Sequence, residues 1–408
     1  MQNLPAPYDV LIIGAGLVGN SLAAALSHVA KVAIIEAHAP TPPLITDTRT
    51  LALSFSTQRI LTALDIWPLL QPYTMPITQV HVSEVGHFGA TRFAAAEYGI
   101  EALGYTICAH TLSDTLQQNV LKNSAITGFY SSTVQQIIPI PEGYRVHVET
   151  PEGPRVLTTR LLVGADGAQS HTRTLLGIAH KEELCGQTAC TAQMHIGRAH
   201  QNIAYERFAE KAVLAALPLA DQQVAIVWTV DTDRAKTIQG LSDADFCRQF
   251  QAAFGNRLGE CTQVEKRQAY PVRQVRALEQ IRPHALLLGN AAHSLHPVAA
   301  QGFNLSLRDV AGLAQEVMDA LKTGQNPGTL SVLKKYMQAR QKEQTETLYF
   351  TQGILSSFSK KTGPWQWIKE VGLCSMEIFP FTKHMLARRA MGIAGSMPAW
   401  VCEKSNVL

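Results

Sequence analysis

Asp9-Val10-Leu11-Ile12-Ile13-Gly14-Ala15-Gly16-Leu17-Val18-Gly19 is the stretch that decides the fold of this chain. The unbroken apolar run Val10 to Ile13 reads as a short parallel strand covered on both faces. The small residues from Leu17 through Ala23, Ala24 and Ala25 to His28 read as the helix after it. Gly14, Gly16 and Gly19 fall where strand turns into helix. The first permits a tight turn, the second lets an anionic pyrophosphate approach the backbone, and the third lets the helix pack closely on the strand. Such a helix presents unpaired N–H groups and the positive end of its dipole to the bound anion.

Working outward, a second apolar run, Val32 to Ile35, ends in Glu36, which stands 22 positions after Gly14. A carboxylate at that distance is placed to accept hydrogen bonds from a ribose. Strand, glycine turn, helix and acid together predict a dinucleotide site. FAD and NAD share this fingerprint, and it does not choose between them.

Two further strand ends carry glycine turns. Leu161-Leu162-Val163 runs into Gly164-Ala165-Asp166-Gly167, followed by a helix-like Thr172 to Leu176. Ala285 to Leu288 runs into Gly289-Asn290-Ala291-Ala292-His293, then through Pro297-Val298-Ala299-Ala300-Gln301-Gly302-Phe303-Asn304 into an amphipathic helix from about Leu305 to Leu321. A glycine and proline loop that opens a helix is a second place where free N–H groups favour an anion.

With these three motifs the chain resembles the FAD-dependent aromatic hydroxylase family related to p-hydroxybenzoate hydroxylase, over roughly residues 8 to 340. The resemblance implies FAD as cofactor, with Glu36 on the adenosine ribose, Arg49 contacting the flavin cofactor and Asp166-Gly167 near the pyrophosphate. It also implies that Leu103-Gly104-Tyr105 and His110 approach the flavin. In the family the third motif reads Gly-Asp and its acid binds the ribityl chain; here Gly289 is followed by Asn290. Asparagine keeps a carbonyl acceptor and gains two donors while losing the charge. The phrase from Gly289 to Leu305, closing with Arg308-Asp309-Val310, is similar to the ubiquinone-biosynthesis branch of the family, where asparagine is usual at this position. Asp47 to Ser54, Ala204 to Phe208, Leu217-Pro218, Ile226 to Thr229 and Tyr270-Pro271 also fit the family pattern.

The resemblance implies a single-component monooxygenase. NAD(P)H, bound transiently without a nucleotide fold of its own, reduces FAD; oxygen is activated as a C4a-hydroperoxide; an electron-rich phenol ring is hydroxylated. In the ubiquinone branch the substrate is a polyprenyl phenol of the 2-polyprenyl-6-methoxyphenol type, and a biosynthetic protein complex is a possible partner. The loop holding Pro297, Gly302, Phe303 and Asn304 is expected to face the flavin ring, its N–H groups favouring the reduced anion. His110, His293 and His296 are each open to two readings: tuning the flavin or a substrate phenol near neutrality, or simple structural hydrogen bonding. Two other functions of the fold also stand: an FAD enzyme acting on a soluble aromatic or an isoprenoid double bond, and a flavin-poor scaffold subunit.

Composition agrees with an enzyme-sized globular chain. Its 408 residues are 46% hydrophobic and 16% charged, with no repeat and no low-complexity tract. The net charge of +3 is too small to suggest nucleic-acid binding. Seven cysteines, none in CxxC spacing, point to reduced thiols, and no metal cluster emerges among the histidines. Residues Met1 to Tyr8 lack the pattern of a signal peptide, and no apolar run is long enough to span a bilayer. A cytoplasmic protein, peripheral to the inner membrane, is expected.

The basic excess is local. Residues 331–408 hold eleven Lys or Arg against five acids, together with Trp365, Trp367 and Trp400. This segment reads equally as a helical cap on the flavin domain and as a cap that also touches a membrane or partner. The fold expected is α/β: a Rossmann-type FAD-binding domain from residues 1–72, 104–182 and 280–330, a β-rich substrate domain from 73–103 and 183–279, and the helical segment 331–408.

Overall fold

A computed structural model describes residues 7–40, 47–86, 90–209, 212–297, 300–359 and 380–405. Its first sheet is built on strand Tyr8–Ile13, which pairs in parallel with Val32–Ile35 on one side and Gly153–Gly164 on the other. Ile126–Phe129 and Ala285–Leu287 extend the parallel set outward. The antiparallel strands Thr133–Ile140 and Gly143–Thr150 continue from Gly153–Gly164 and fold over one face.

This arrangement explains why the opening run is apolar without alternation. Val10 and Ile12 pack among the helices Leu17–Leu26, Ala109–Lys122 and Gln301–Lys322, whereas Leu11 and Ile13 pack toward Val146 and Val148 of the antiparallel strands. A strand with both faces covered has no position for a polar side chain.

The second sheet is eight-stranded and mostly antiparallel, in the order His293–Ser294, Cys261–Ala277, His180–Ile196, Gln223–Asp231, Ala212–Pro218, Ile203–Ala209, Gln79–Glu84 and Ala90–Ala94. One face carries Met194, Leu214, Ile226 and Trp228 beneath the helices Thr232–Gln239 and Asp243–Phe254. A smaller antiparallel sheet of Thr50–Ser54, Gly104–Cys108 and Met75–Ile77 lies between the two larger ones in the chain order. Two pairings cross the expected domain boundaries: Met75–Ile77 pairs with Gly104–Cys108, and His293–Ser294 adds to the second sheet.

Beyond residue 330 the chain is helical: Leu330–Ser359, Pro380–Ala390 and Ala399–Ser405. Trp400 is buried, and its indole N–H donates to the Ala311 carbonyl at 3.1 Å. Its tryptophan therefore belongs to the core of the first domain. Several basic residues of this region are also tied to acids: Arg340 to Asp309 and Glu343, Lys383 to Glu97, and Arg389 to Glu346. Trp365 and Trp367 lie outside the described residues. No helix among the described residues is long and apolar enough to cross a membrane.

Candidate active site

The glycine turn has the geometry its sequence implied. Gly14 has φ +104°, and a Cβ there would lie 2.6 Å from the Ala165 carbonyl oxygen, so the turn abuts the second motif directly. A Cβ on Gly19 would lie 1.9 Å from the Gly14 carbonyl oxygen, which fixes how closely the helix packs on the turn. Gly16 differs from both: it is exposed, caps helix Leu17–Leu26, and a Cβ would meet nothing within 4 Å. That open position is the approach a ligand needs to reach the first-turn N–H groups.

Glu36 reaches the same turn. Its carboxylate accepts from the Ala15 N–H at 2.8 Å and from the His38 N–H at 3.1 Å. Asp166 faces the turn from the opposite side, but its oxygens are occupied by Ser170 Oγ at 2.5 Å and by the Thr172 N–H and Oγ1, each at 2.8 Å. Asp166 thus organises the start of helix His171–Leu175, and the neighbouring Gly167, at φ +83°, keeps the side facing the cavity clear. Gly289 has φ +62° and packs on Val18, which sets the third motif against the first; Asn290, next to it, is exposed.

Arg49 forms a two-pronged ion pair with Asp47, Nε to Oδ1 at 2.7 Å and Nη2 to Oδ2 at 2.6 Å, and its guanidinium lies 5.1 Å from the centre of the Tyr270 ring. Burial alone would raise the Asp47 carboxyl; the hydrogen bonds and charge of Arg49 outweigh it and hold it below the usual range. His110 does not line the cavity with the other predicted residues. It begins helix Ala109–Lys122, and its Nδ1 sits 2.9 Å from Cys108 Sγ.

Helix Gln301–Lys322 begins four residues earlier than its hydrophobic periodicity suggested, because Ala300 turns the chain through φ +49° and releases it directly into the helix. The loop is pinned by Asn304, which is 3% exposed. Its Oδ1 accepts from the Ser54 N–H at 2.9 Å and Thr57 Oγ1 at 2.7 Å; its Nδ2 donates to the carbonyls of Ala52 at 2.9 Å and Ala300 at 2.8 Å. All four bonding directions of the amide are used, so Asn304 is a clamp between this loop and strand Thr50–Ser54. Gly302 in the first turn has nothing within 4 Å of a would-be Cβ. His296 is buried, donates from Nε2 to Gln187 Oε1 at 2.9 Å, and is held neutral by burial, which pushes its pKa down to about 4.

Behind the third motif lies a buried charge network that the sequence did not reveal. His293 Nε2 donates to Asp309 Oδ2 at 2.9 Å, Arg340 Nε donates to Asp309 Oδ1 at 2.7 Å, and Glu343 joins Arg340 to Arg308. Burial would raise the Asp309 carboxyl, but Arg340 and His293 outweigh it and keep it ionised. The cations Arg308 and Arg340 thus offset the anions Asp309 and Glu343, which is how such a network stays inside a protein, and His293 is tied into it through Asp309. The one sequence signal was Arg308-Asp309 in a helix otherwise full of small apolar residues.

These parts surround one cavity of about 1710 Å³. It runs from Glu36 past Gly14, Gly16, Asp166, Gly167 and Asn290 to Arg49, Pro297, Gly302, Phe303 and Asn304. It then continues under the second sheet, along Val80, Phe93, Phe208, Leu217 and Val227, to Leu386 of helix Pro380–Ala390 and Met391 just after it. Single small-molecule sites occupy roughly 300–1,000 Å³, so this volume suits two ligands end to end. The polar half, with its open glycines and helix N-terminus, fits the elongated anion of a flavin dinucleotide. The other half is mostly apolar, with Thr91, Thr191, Glu206 and Thr229 among its lining residues. Gly19 and Gly289 stand behind the wall, and His110 is outside it. The apolar half was missed because strands such as Ala212–Pro218 are apolar on both faces; that pattern signals two covered faces and was the available clue.

The FAD-binding domain family matches residues 7–351, and the chain belongs to that family. It is a flavoprotein monooxygenase with FAD as its cofactor and has the p-hydroxybenzoate hydroxylase-like fold expected from its sequence. Its relatives fall in the branch that the third motif indicated. Ubiquinone hydroxylase UbiL of Rhodospirillum rubrum is 30% identical over 94% of this chain and 89% of its own length. The 3-demethoxyubiquinol 3-hydroxylase of Escherichia coli is 27% identical over 95% of this chain and 99% of its own. Among solved structures, p-nitrophenol 4-monooxygenase from Pseudomonas putida superposes with a TM-score of 0.76 at 16% identity, covering 95% of this chain and 98% of that one.

Proposed function

We propose that the protein hydroxylates the aromatic ring of a polyprenyl phenol in ubiquinone biosynthesis, using NAD(P)H and O2. The observation that carries this reading is the continuity of the cavity, polar where a flavin dinucleotide would lie and mostly apolar where a long hydrocarbon tail would. The ubiquinone hydroxylases among its relatives support the same substrate class.

In this reading Gly14 and Gly16 with the N-terminus of helix Leu17–Leu26 hold the pyrophosphate, Glu36 accepts from the adenosine ribose, and Asn290 meets the ribityl chain. The N–H groups at the start of helix Gln301–Lys322, left open by Gly302, face the flavin ring; segments 1–72, 104–182 and 280–330 act as the cofactor-binding unit. Bound FAD supplies hydride acceptance and oxygen activation, chemistry no side chain can provide. The chain's part is placement and dryness. The neutral His296 adds no charge beside the ring, Asn304 fixes the loop, and Val80, Phe93 and Leu217 exclude water from the ring to be oxidised. Arg49, held beside the Tyr270 ring by Asp47, stands at the junction of the two halves.

Deleting the gene and profiling extracted lipids by mass spectrometry tests the assignment. Loss of ubiquinone with accumulation of a polyprenyl phenol lacking one ring oxygen is expected. Unchanged quinone with no accumulated precursor would overturn it.

A further inference from the structure

We infer that the outer face of the second sheet carries a phosphate-binding nook formed by Arg207 and Arg257 together with His81 and Ser83. The inference is independent of the hydroxylase reading, because strand alternation places these residues on the opposite face of the sheet from the cavity. In strand Gln79–Glu84, Val80 and Val82 line the cavity, so His81 and Ser83 point outward.

The register brings the rest to them. His81 stands opposite Tyr205 on one neighbouring strand and Arg92 on the other, and Ser83 stands opposite Arg207. Arg207 Nη1 donates to Ser83 Oγ at 3.4 Å. Arg257 arrives from the short turn Asn256–Leu258: a Cβ on Gly255 would lie 3.8 Å from Arg257 Nη1 and 3.9 Å from Arg207 Nη2, so the two guanidinium groups converge on one spot. The Tyr205 ring forms the floor, 5.6 Å from His81 and 5.8 Å from Phe254 between centres. Arg92 is exposed, while His81, Arg207 and Arg257 are half-buried.

Among the described residues no carboxylate pairs with Arg207 or Arg257. Glu206, beside Arg207 in sequence, lines the cavity on the other face. Burial and then the charges of Arg257, Arg92 and Arg207 push His81 down to about 4, and burial and Arg257 lower Arg207. His81 Nε2 and Arg207 Nε are buried with no hydrogen-bond partner. Convergent like charges with unmet donors are costly unless an anion joins them. Two guanidinium forks, an imidazole and a hydroxyl match the tetrahedral oxygens of a phosphate group.

A ligand on this face is separated from the cavity by the sheet, so it is no hydride donor. The phosphate belongs either to a lipid headgroup at the surface of a bilayer or to a soluble phosphate compound. The experiment uses the full-length, FAD-loaded protein. Inorganic phosphate is titrated while the His81 ring is followed by NMR, and flotation is measured with vesicles of phosphatidylcholine alone or with added phosphatidylglycerol. Phosphate is expected to raise the His81 pKa from about 4, and Arg257→Ala to weaken binding roughly tenfold or more. Phosphatidylglycerol-dependent flotation lost in Arg257→Ala identifies the headgroup; phosphate binding without flotation identifies a soluble ligand. Either supports the nook. A parent protein that binds neither probe, or Arg257→Ala and Arg207→Ala variants that bind as the parent does, overturns it. Unchanged FAD content in the variants shows that they are folded, and unchanged NAD(P)H oxidation separates this result from any failure of the active-site reading.

Discussion

Asn304→Ala should cost more than the loss of a small polar side chain suggests. The amide makes four hydrogen bonds of 2.7–2.9 Å at a position 3% exposed. Each such bond contributes about 0.5–1.5 kcal/mol net, and each buried group left unpaired costs about 1–3 kcal/mol. Thr57 Oγ1 still accepts from Ser54 Oγ, and Ala52 and Ala300 both line the cavity, so the penalty falls chiefly on the buried Ser54 N–H, with smaller losses at the two carbonyls. A loss of about 3–5 kcal/mol follows, a large part of the roughly 5–15 kcal/mol typical of folded proteins. Asn304→Asp should be no milder: it keeps the two acceptor bonds but sets an oxygen against the carbonyls of Ala52 and Ala300 and buries a charge. The assay is urea unfolding of parent and variants at equal, saturating FAD, followed by flavin fluorescence and far-UV circular dichroism. A change under 1 kcal/mol in Asn304→Ala, or an Asn304→Asp variant as stable as the parent, would refute the clamp.

Other perturbations separate packing from ligand contact. Gly16→Val should fold and lose FAD affinity by tenfold or more, since its Cβ site is open toward the cavity, whereas Gly19→Ala should fail to fold stably because its Cβ would sit 1.9 Å from a backbone oxygen; equilibrium dialysis with FAD and circular dichroism distinguish them, and two variants with the same behaviour would contradict this contrast. Acid should destabilise the protein through His296. Its pKa falls from 6.5 unfolded to about 4 folded, so its contribution is complete above pH 6.5 and is lost between 6.5 and about 4, to a limit of about 3 kcal/mol; His296→Asn should flatten stability across that window, and an unchanged slope would count against it.

How much of this was legible in the sequence differs from part to part. The first strand, its glycine turn and Glu36 were readable because backbone constraints there act over a few neighbouring residues: a positive φ at Gly14 and a contact impossible for any Cβ at Gly19 leave no substitute for glycine. The start of helix Gln301–Lys322 was not, since periodicity marks only where a helix meets the core and Ala300 carries no signature of its left-handed turn. Asn304 was placed in the right loop for a different reason from the one its bonds reveal; its partners, Ala52, Ser54 and Thr57, lie some 250 positions earlier. Arg340 and Glu343 likewise acquire meaning only when the long helix folds back on Asp309. Trp400 shows the same limit: its basic and aromatic neighbours left a core cap and a membrane-touching cap equally open, and only the folded chain shows this indole spent on the core.

Incubating the FAD-loaded protein with NAD(P)H, a polyprenyl phenol and isotopically labelled O2, with mass spectrometry of the extracted lipid, tests the central claim most directly. The account predicts a product carrying one labelled oxygen on the ring, formed in step with NAD(P)H consumed. Oxidation of NAD(P)H that yields only hydrogen peroxide and unmodified phenol, under conditions where the phenol is bound, would contradict it.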